Sequence, residues 1–394
     1  MKCGAISCVA RETLKVTRDI PECGSKNGIF FIRVRAWEIA GVILLVCGAL
    51  LCGSQAHAGA KAALNVGTFT TFDPPGSQYT NPTAINSNRS ITGYYDAGAA
   101  FAPHGFVRAP DGGIITFDPP GSVSTYPTGI DQAGAITGYY CDSVTCHGFL
   151  RASDGTFTTF DSPGAVRGTE PFAINSARTV TGFYIDAGSV GHGFLRTRDG
   201  KFTRFDPPGS LSTDPTAINP AGAITGSYCD ETTCHGFLRA SGGAFTPFDP
   251  EESTLTIAKG INPKGEIAGY YGYYEDDYAD GGEASFEIDG FVRAADGTFT
   301  TFDSPGAVKG TEPLAINPAG TITGFYIDAS SLGHGFLRTR DGKFATFDPP
   351  GSVSTYPAAI NQEAEITGTY YDAKGVGHGF LRTPSQPDDS EDSD

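Results

Sequence analysis

Basic residues are scarce in this sequence, and their scarcity excludes a first class of partners. The 394 residues include 27 Lys and Arg against 44 Asp and Glu, which gives a formal net charge of −17 at pH 7. Nucleic-acid binding depends on clustered positive charge that neutralises phosphates, and binding to anionic membrane surfaces depends on the same attraction. We therefore expect neither nucleic acid nor an acidic lipid surface as a partner.

Helical periodicity and recognised catalytic motifs are also missing. No segment keeps its apolar residues at the 3.6-residue spacing of an amphipathic helix, so a helical fold is excluded. There is no phosphate-binding loop, no zinc signature and no arrangement typical of a Ser–His–acid triad. The sequence therefore favours an all-β protein that binds rather than catalyses, although it leaves the question of enzyme activity open.

Residues 1–58 differ from the rest of the chain and are expected to be a signal peptide. The apolar run from Ile39 to Leu51 is shorter than the roughly 20 residues of a membrane helix. It follows Arg33 and Arg35 and precedes small residues at 56–58, which is the order found in secretory signals. The protein would then be secreted or periplasmic, without a membrane span after cleavage. A retained N-terminal anchor is the alternative.

Cleavage would leave two cysteine pairs, Cys141 with Cys146 and Cys229 with Cys234. It would also remove seven basic and four acidic residues, taking the formal charge from −17 to −20. Both pairs have the spacing CxxxxC, and in an exported protein such neighbouring cysteines are expected to form local disulfides. A metal site is the alternative, because each pair is followed by a histidine, but the two pairs lie in separate repeats.

A long repeat organises the remainder. The dipeptide Phe-Asp occurs seven times, with steps of 45, 43, 45, 43, 54 and 45 residues. Each unit contains four short strand candidates, of which the last two are joined by an Asp-Gly hairpin turn, as in 147–161. Periods of about 40–50 residues are typical of four-stranded propeller blades. We predict an all-β, seven-bladed β-propeller of antiparallel blades.

The two ends of the repeat region are complementary. The region opens with a fourth strand at 67–73 and closes with a third strand in the last blade, 356–382. Pairing of 67–73 with this blade would close the ring without a free sheet edge. Residues 59–66 are then a short linker, 67–382 the propeller, and 383–394 an acidic tail expected to be disordered.

The repeated order Ala-Ile-Asn, Gly, Ile-Thr-Gly and His-Gly-Phe-Leu-Arg resembles the HAF-type repeat of extracellular bacterial proteins. The resemblance covers 67–382. The family pattern usually has Ala where every copy here has Gly. It implies export and a propeller-like fold, and it implies no reaction.

Histidines open the third strand of six units, each 14 residues before a closing Asp or, for the last, opposite the first Asp. We predict structural His–Asp hydrogen bonds rather than catalytic groups, because one catalytic group is rarely needed six times. The pairs are His104–Asp118, His147–Asp161, His192–Asp206, His235–Asp249, His334–Asp348 and His378–Asp73. Asp289 replaces the histidine in the fifth unit. The third-strand arginines are expected to be solvated or to form ion pairs between blades, and the Asn or Asp that ends each first strand to form Asx-type turn bonds.

One insertion, 270–288, breaks the regularity at the end of the blades that carries the longer loops. Its tyrosines are candidates for stacking on sugars or peptide: Tyr271, Tyr273, Tyr274 and Tyr278. Its carboxylates are candidate Ca²⁺ ligands, because Ca²⁺ takes six to eight oxygens: Asp276, Asp277, Asp280 and Glu283. A solvated extension of the hairpin is the alternative. Longer, variable loops usually carry recognition, so we place the binding face at this end.

These features predict an exported, monomeric binding or scaffold module for an extracellular or cell-envelope polymer or protein. Apart from Ca²⁺ at the insertion, no cofactor is expected. A carboxylate-dependent hydrolase or lyase, assisted by Ca²⁺, is the alternative, because pairs of acidic side chains serve glycoside hydrolysis. A purely structural surface protein is the third interpretation.

Overall fold

The fold consists of short antiparallel strands. A computed structural model describes residues 67–98, 101–275 and 285–385, with backbone only at 274, 275 and 285. The expected signal peptide (1–58) and linker (59–66) lie outside these ranges, as does most of the expected tail. Across the described ranges the chain contains no helix, and so none that could span a membrane.

Antiparallel hydrogen bonds join the strands into groups of four. Group 1 comprises β2 (Tyr79–Ile85), β3 (Ile91–Asp96), β4 (His104–Arg108) and β5 (Ile114–Phe117). Group 2 comprises β6 (Ser124–Ile130), β7 (Ile136–Cys141), β8 (Cys146–Arg151) and β9 (Phe157–Phe160). Group 3 comprises β10 (Gly168–Ile174), β11 (Val180–Ile185), β12 (Gly191–Arg196) and β13 (Phe202–Phe205). Group 4 comprises β14 (Ser212–Ile218), β15 (Ile224–Cys229), β16 (Cys234–Arg239) and β17 (Phe245–Phe248).

The remaining groups follow the same order, except that the last takes one strand from the start of the chain. Group 5 comprises β18 (Leu255–Ile261), β19 (Ile267–Glu275), β20 (Ser285–Arg293) and β21 (Phe299–Phe302). Group 6 comprises β22 (Thr311–Ile316), β23 (Ile322–Ile327), β24 (Gly333–Arg338) and β25 (Phe344–Phe347). Group 7 comprises β26 (Ser352–Ile360), β27 (Ile366–Asp372), β28 (Gly377–Thr383) and β1 (Thr68–Phe72).

The pairing of the N-terminal strand with the last group is present. β1 runs antiparallel to β28, from Thr68 opposite Thr383 to Phe72 opposite Gly379. Thr383, placed by the sequence in the tail, is therefore the last residue of a strand. Each first strand also has a register shift just after its Thr-x-Pro or Thr-x-Ala segment, as between Pro127 and Gly129. Proline cannot donate to the ladder, so a bulge at this point is expected.

The core of each group is built from one aliphatic residue of the second strand and one phenylalanine of the third. Both are 0% exposed in every group: Ile91, Ile136, Val180, Ile224, Ile267, Ile322 and Ile366, with Phe106, Phe149, Phe194, Phe237, Phe291, Phe336 and Phe380. The Phe of each Phe-Asp packs against the third-strand Phe of the next group. In that series Phe117 contacts Phe149 at 6.3 Å, and Phe72 of β1 contacts Phe106 at 6.1 Å between ring centroids. Each pair of neighbouring groups therefore shares an aromatic core between them.

The third-strand arginines are not solvated, as the sequence predicted, but buried against aromatic rings. Their guanidinium groups lie over the Phe-Asp phenylalanine of the preceding group, 4.5–5.4 Å from the ring centroid, and the side chains are buried. They are buried rather than solvated, and the aromatic ring beneath each guanidinium supplies an attraction that the prediction did not include. Burial disfavours the charged form and lowers the pKa of Arg382. The ring of Phe347 beneath its guanidinium opposes this effect by stabilising the cation.

The first strands of successive groups contact one another, and the series returns from β26 to β2. The Asn at the end of six first strands donates its side-chain amide to a backbone carbonyl of the next group. Asn361, for example, donates to the carbonyl oxygen of Asn86 at 3.3 Å. In group 2 the residue is Asp131, which has no amide to donate, and Arg178 of group 3 approaches its carboxylate at 3.4 Å. The predicted Asx bonds are also present, as from the Ser90 amide to Asn86 Oδ1 at 2.9 Å.

Candidate functional site

The six His–Asp pairs lie at one end of the groups, where the third strand begins and the fourth ends. The shortest Nδ1–carboxylate distance in each pair lies between 2.6 and 2.9 Å. In five pairs the second ring nitrogen lies 3.2–3.8 Å from another aspartate, in the turn between the second and third strands. A tyrosine of the second strand also lies against each imidazole, as Tyr228 does against His235 at 5.1 Å. A histidine held between two carboxylates is positioned to stabilise the fold.

The closing aspartates link adjacent groups. The second carboxylate oxygen of Asp73, Asp118, Asp206, Asp249 and Asp348 accepts a hydrogen bond from the threonine of the next first strand, at 2.6–2.7 Å. At His235, burial alone would lower the pKa, but the hydrogen bond and charge of Asp249, helped by Asp230, outweigh it and raise the pKa. Two backbone amides that donate to Asp230 hold the pKa of that carboxyl well below its usual value.

Group 5 differs, because Asp289 stands where the other groups have histidine. Burial and the neighbouring Asp303 raise the pKa of Asp289 from 3.8 to about 6. The hydroxyls of Tyr271 and Tyr273 donate to its carboxylate at 3.4 and 3.3 Å. Asp303 in turn accepts from Thr311 at 2.8 Å. Two carboxyl groups and two phenols therefore meet at the base of the insertion.

The insertion lengthens the β19–β20 hairpin, and Glu275 pairs with Ser285 at its described end. Of the predicted stacking residues, Tyr271 is only 8% exposed and occupies the tyrosine position shared by the other groups, while Tyr273 is partly exposed and stacks on it at 5.6 Å. Tyr274 lies in β19 with its side chain undescribed. Tyr278 and the four predicted calcium ligands, Asp276, Asp277, Asp280 and Glu283, lie outside the described residues. In the described ranges no three His, Cys, Asp or Glu side chains are grouped to hold a metal.

Both predicted disulfides are confirmed. Cys141 bonds to Cys146 and Cys229 bonds to Cys234, each closing the turn between a second and a third strand. The turn inside each loop is also fixed by an aspartate, since Asp142 and Asp230 accept backbone amide hydrogen bonds. The cysteines are therefore local staples of two hairpins.

A second cluster lies on the first strands, at the residue between the invariant Thr and the following Pro or Ala. We call this residue the inner position. Unlike its neighbours, it changes from copy to copy: Asn81, Tyr126, Glu170, Asp214, Ile257, Glu312 and Tyr356. Its cross-strand partners on the second strands are equally varied: Tyr94, Tyr139, Phe183, Ser227, Tyr270, Phe325 and Thr369.

Aromatic rings form one part of this surface, which we call the aromatic arc: Tyr79, Tyr94, Tyr126, Tyr139, Tyr356 and Tyr371. Tyr126 stacks on Tyr139 at 4.9 Å, and Tyr94 of the preceding group meets Tyr126 edge-on at 5.2 Å. Tyr79 stacks on Tyr371, so the arc crosses from group 7 to group 1. Burial raises the pKa of these phenols, that of Tyr371 to about 12, so their hydroxyls remain neutral donors at physiological pH.

Charged side chains form the other part, the acidic arc: Glu170, Asp214, Lys259 and Glu312. Glu170 is 7% exposed, and burial together with the charge of Asp214 raises its pKa to about 7. Asp214 remains accessible to water, yet protein surrounds it closely enough to raise its pKa to about 6 against the opposing charge of Lys259. Burial also raises the pKa of Glu312, and Lys259 again opposes the rise. Lys259 lies over the Tyr270 ring at 5.6 Å.

The inner position is not among the site residues predicted from the sequence, because the prediction placed the binding face at the longer loops. A signal was available: Thr-x-Pro occurs in six copies, and its central residue takes five identities over seven copies. A fixed frame around a variable residue indicates a position that packing does not constrain.

Comparison with known proteins identifies the fold. No family model matches the chain, and no curated protein does. Among solved structures, a streptogramin B lyase matches 82% of this chain and 99% of its own length, at TM-score 0.54 and 11% identity. An inactive virginiamycin B lyase from Staphylococcus aureus with quinupristin matches 80% and 99%, at TM-score 0.52 and 14% identity. A puromycin hydrolase matches 79% and 55%, at TM-score 0.53 and 11% identity. These are propeller-fold proteins, and the chain has a β-propeller fold.

Proposed function

We propose that the chain is an exported, seven-bladed β-propeller that binds an extracellular or cell-envelope polymer in a central channel. Each group of four strands is one blade, and β1 completes the seventh. Closure is supported by three series that return on themselves: the contacts between first strands, the Phe–Phe contacts and the Asn–carbonyl bonds. The inner positions then line the channel.

One observation carries the binding role. Glu170 is 93% buried at an inner position, and its carboxylate has neither a hydrogen bond nor an ion pair within the described residues. An unpaired buried charge costs several kcal/mol of stability, and proteins normally pair or neutralise it. The raised pKa of Glu170 means that protonation relieves part of this cost, and a ligand that supplied a positive charge or a hydrogen-bond donor would relieve the rest. The adjacent tyrosines offer flat apolar faces with polar tips, which suit a hydroxylated ring.

Export is supported by the order of residues in 1–58 and by the two disulfides, which persist in oxidising compartments. The resemblance to HAF-type repeats of extracellular proteins supports the same location. We also propose that the protein is a monomer, because a closed ring would leave no free sheet edge for another copy to pair with.

A polysaccharide array probed with the full chain tests the binding role. We expect at least one extracellular or cell-envelope polymer to bind, and the double variant Tyr126→Ala with Glu170→Gln to weaken binding by at least about tenfold, because contact with inner aromatic and charged groups dominates such sites.

Glu363→Gln is the matched control, since Glu363 is exposed in a turn between a first and a second strand. It should bind as the unchanged chain does. Undiminished binding by the double variant, with loss on shortening the β19–β20 hairpin, would move the site to the hairpin. Failure to bind any polymer would refute the binding role.

A carboxylate-dependent hydrolase or lyase is the second candidate. Glu170, with its pKa raised to about 7, lies beside Asp214, and acid–base catalysis favours carboxyl groups that titrate near the working pH. Two structural neighbours are lyases and a third is a hydrolase, at identities that speak only to fold. Release of shortened or unsaturated products from a bound polymer, lost in Glu170→Gln, would establish this candidate.

We propose that the insertion also contributes to ligand binding. Calcium bound by the carboxylates at 276–283, with Tyr273, Tyr274 and Tyr278 against the ligand, would extend the site beyond the channel. Polymer binding that weakens when calcium is chelated would identify this contribution.

A further inference from the structure

The acidic arc has more carboxyl groups than positive charges. It contains three carboxyl groups and one ammonium, contributed by four consecutive blades, and no hydrogen bond or ion pair joins these four side chains to any described residue. Lys259 is shared between Asp214 and Glu312, since its charge acts on the pKa of both. Its charge does not act appreciably on Glu170, whose raised pKa has only burial and Asp214 as causes. Among the described side chains, Glu170 therefore has no positive charge beside it.

The aromatic arc begins beside that end. The strand that carries Glu170, β10, packs against β6 and β7, which carry the stacked pair Tyr126 and Tyr139, and against β14, which carries Asp214. The charge of Glu170 accordingly raises the pKa of both tyrosines. Tyrosine faces attract cations through their ring quadrupole, and buried tyrosines also require partners for their hydroxyls. A ligand that joins a cation to a hydroxylated ring would satisfy the carboxylates, the ring faces and the hydroxyls together.

We propose that the channel binds a polymer of amino sugars with free ammonium groups, with one ammonium held by Glu170 and Asp214 and its sugar ring against Tyr126 and Tyr139. This inference rests on the proposed function and names its ligand class. A charge-assisted hydrogen bond from an ammonium to a carboxylate is short and stronger than a neutral one. N-acetylation of the sugar removes that charge and adds bulk, so the acetylated polymer is the matched ligand control.

Calorimetric titration of the full chain with a β-1,4-linked glucosamine hexasaccharide, compared with the N-acetylglucosamine hexasaccharide, tests the inference. We expect the free amine form to bind at least about tenfold more tightly. Glu170→Gln and Asp214→Asn should each remove most of that difference, and Glu363→Gln should leave it intact. Because Glu170 has no partner to lose, Glu170→Gln should fold, and a thermal melt of each variant verifies this.

The outcomes separate this inference from the function on which it rests. Equal or tighter binding of the acetylated hexasaccharide overturns ammonium recognition and leaves polymer binding standing. Tight binding of a lysine hexapeptide without binding of the glucosamine hexasaccharide overturns the sugar class. Stoichiometric binding of calcium chloride that is lost in Glu170→Gln overturns the inference in favour of a metal site. If neither these ligands nor any arrayed polymer binds, both proposals fail.

Discussion

At the scale of single residues, the glycine in each His-Gly-Phe segment has a steric cause. A β-carbon added at Gly148 would lie 2.5 Å from the Phe160 ring, and one added at Gly105 would lie 2.5 Å from the Phe117 ring. The ring of each Phe-Asp phenylalanine therefore occupies the space beside the glycine of its own blade, and it also contacts the next blade. This contact accounts for glycine at a position where the resembling family usually has alanine.

Gly148→Ala should lower the free energy of unfolding by about 1–3 kcal/mol, because the ring must move out of a packed core. Denaturant titration followed by tyrosine fluorescence measures the change. Gly242→Ala is the matched control, since nothing lies within 4 Å of its added β-carbon, and its midpoint should barely move. Equal midpoints for the two variants would show that the packing explanation is wrong.

At the scale of strands and hairpins, the sequence predicted well wherever turn chemistry decides the structure. The Asp-Gly turns, the cysteine-closed turns and the four strands per repeat all follow from local residues, as the 147–161 hairpin shows. The role of the inner positions could not be predicted from local residues in the same way. Both faces of a blade are covered by its neighbours, so the strands show no clean alternation. Alternation therefore does not distinguish Tyr126 from a core tyrosine such as Tyr140, whereas comparison of the copies does, because only Tyr140 is the same residue in all of them. Arg151 was misassigned for a similar reason, because its aromatic partner lies 34 residues away, on another blade.

The Asp289–Asp303 pair predicts a pH dependence. In the folded chain the pKa of Asp289 is raised to about 6 from an ordinary 3.8. Folding therefore favours the protonated form, so this group costs nothing below about pH 4 and destabilises the fold progressively up to about pH 6. Asp289→Asn keeps a neutral side chain at every pH. Its gain in thermal midpoint over the unchanged chain should be small at pH 4, grow through this window and then level off.

Asp296→Asn provides the comparison for that series, since Asp296 lies in an exposed turn of the same blade and its pKa is lowered by the Thr298 amide and hydroxyl. Its loss of stability relative to the unchanged chain should develop between its lowered pKa and about pH 4 and then stay constant up to pH 7, with the opposite sign. A gain for Asp289→Asn that is constant from pH 4 to pH 7 would contradict the proposed repulsion between the two carboxyl groups.

At the scale of the whole propeller domain, the ends of the repeat region are joined by the same kinds of contact that join other blades. His378 contacts Asp73 at 2.7 Å, and Asp73 accepts from Thr80 at 2.6 Å, which links the last blade to the first. Arg382 lies over Phe347, and Arg108 lies over Phe72. What differs is sequence distance, because β1 and β28 have no short turn between them. If the ring is closed as we propose, this junction would bear the entropy of closing it.

Phe72→Ala and Phe117→Ala test that difference, because the two rings are equally buried in equivalent places. Both should lose about 3–5 kcal/mol of stability. Only Phe72→Ala should release β1 and expose the edge of β28, since β5 stays attached to β4 by its turn. We expect concentration-dependent association by light scattering for Phe72→Ala alone, with faster hydrogen exchange at 379–383. Identical behaviour of the two variants would show that the β1–β28 junction is no weaker than the others, and that sequence distance does not affect its stability.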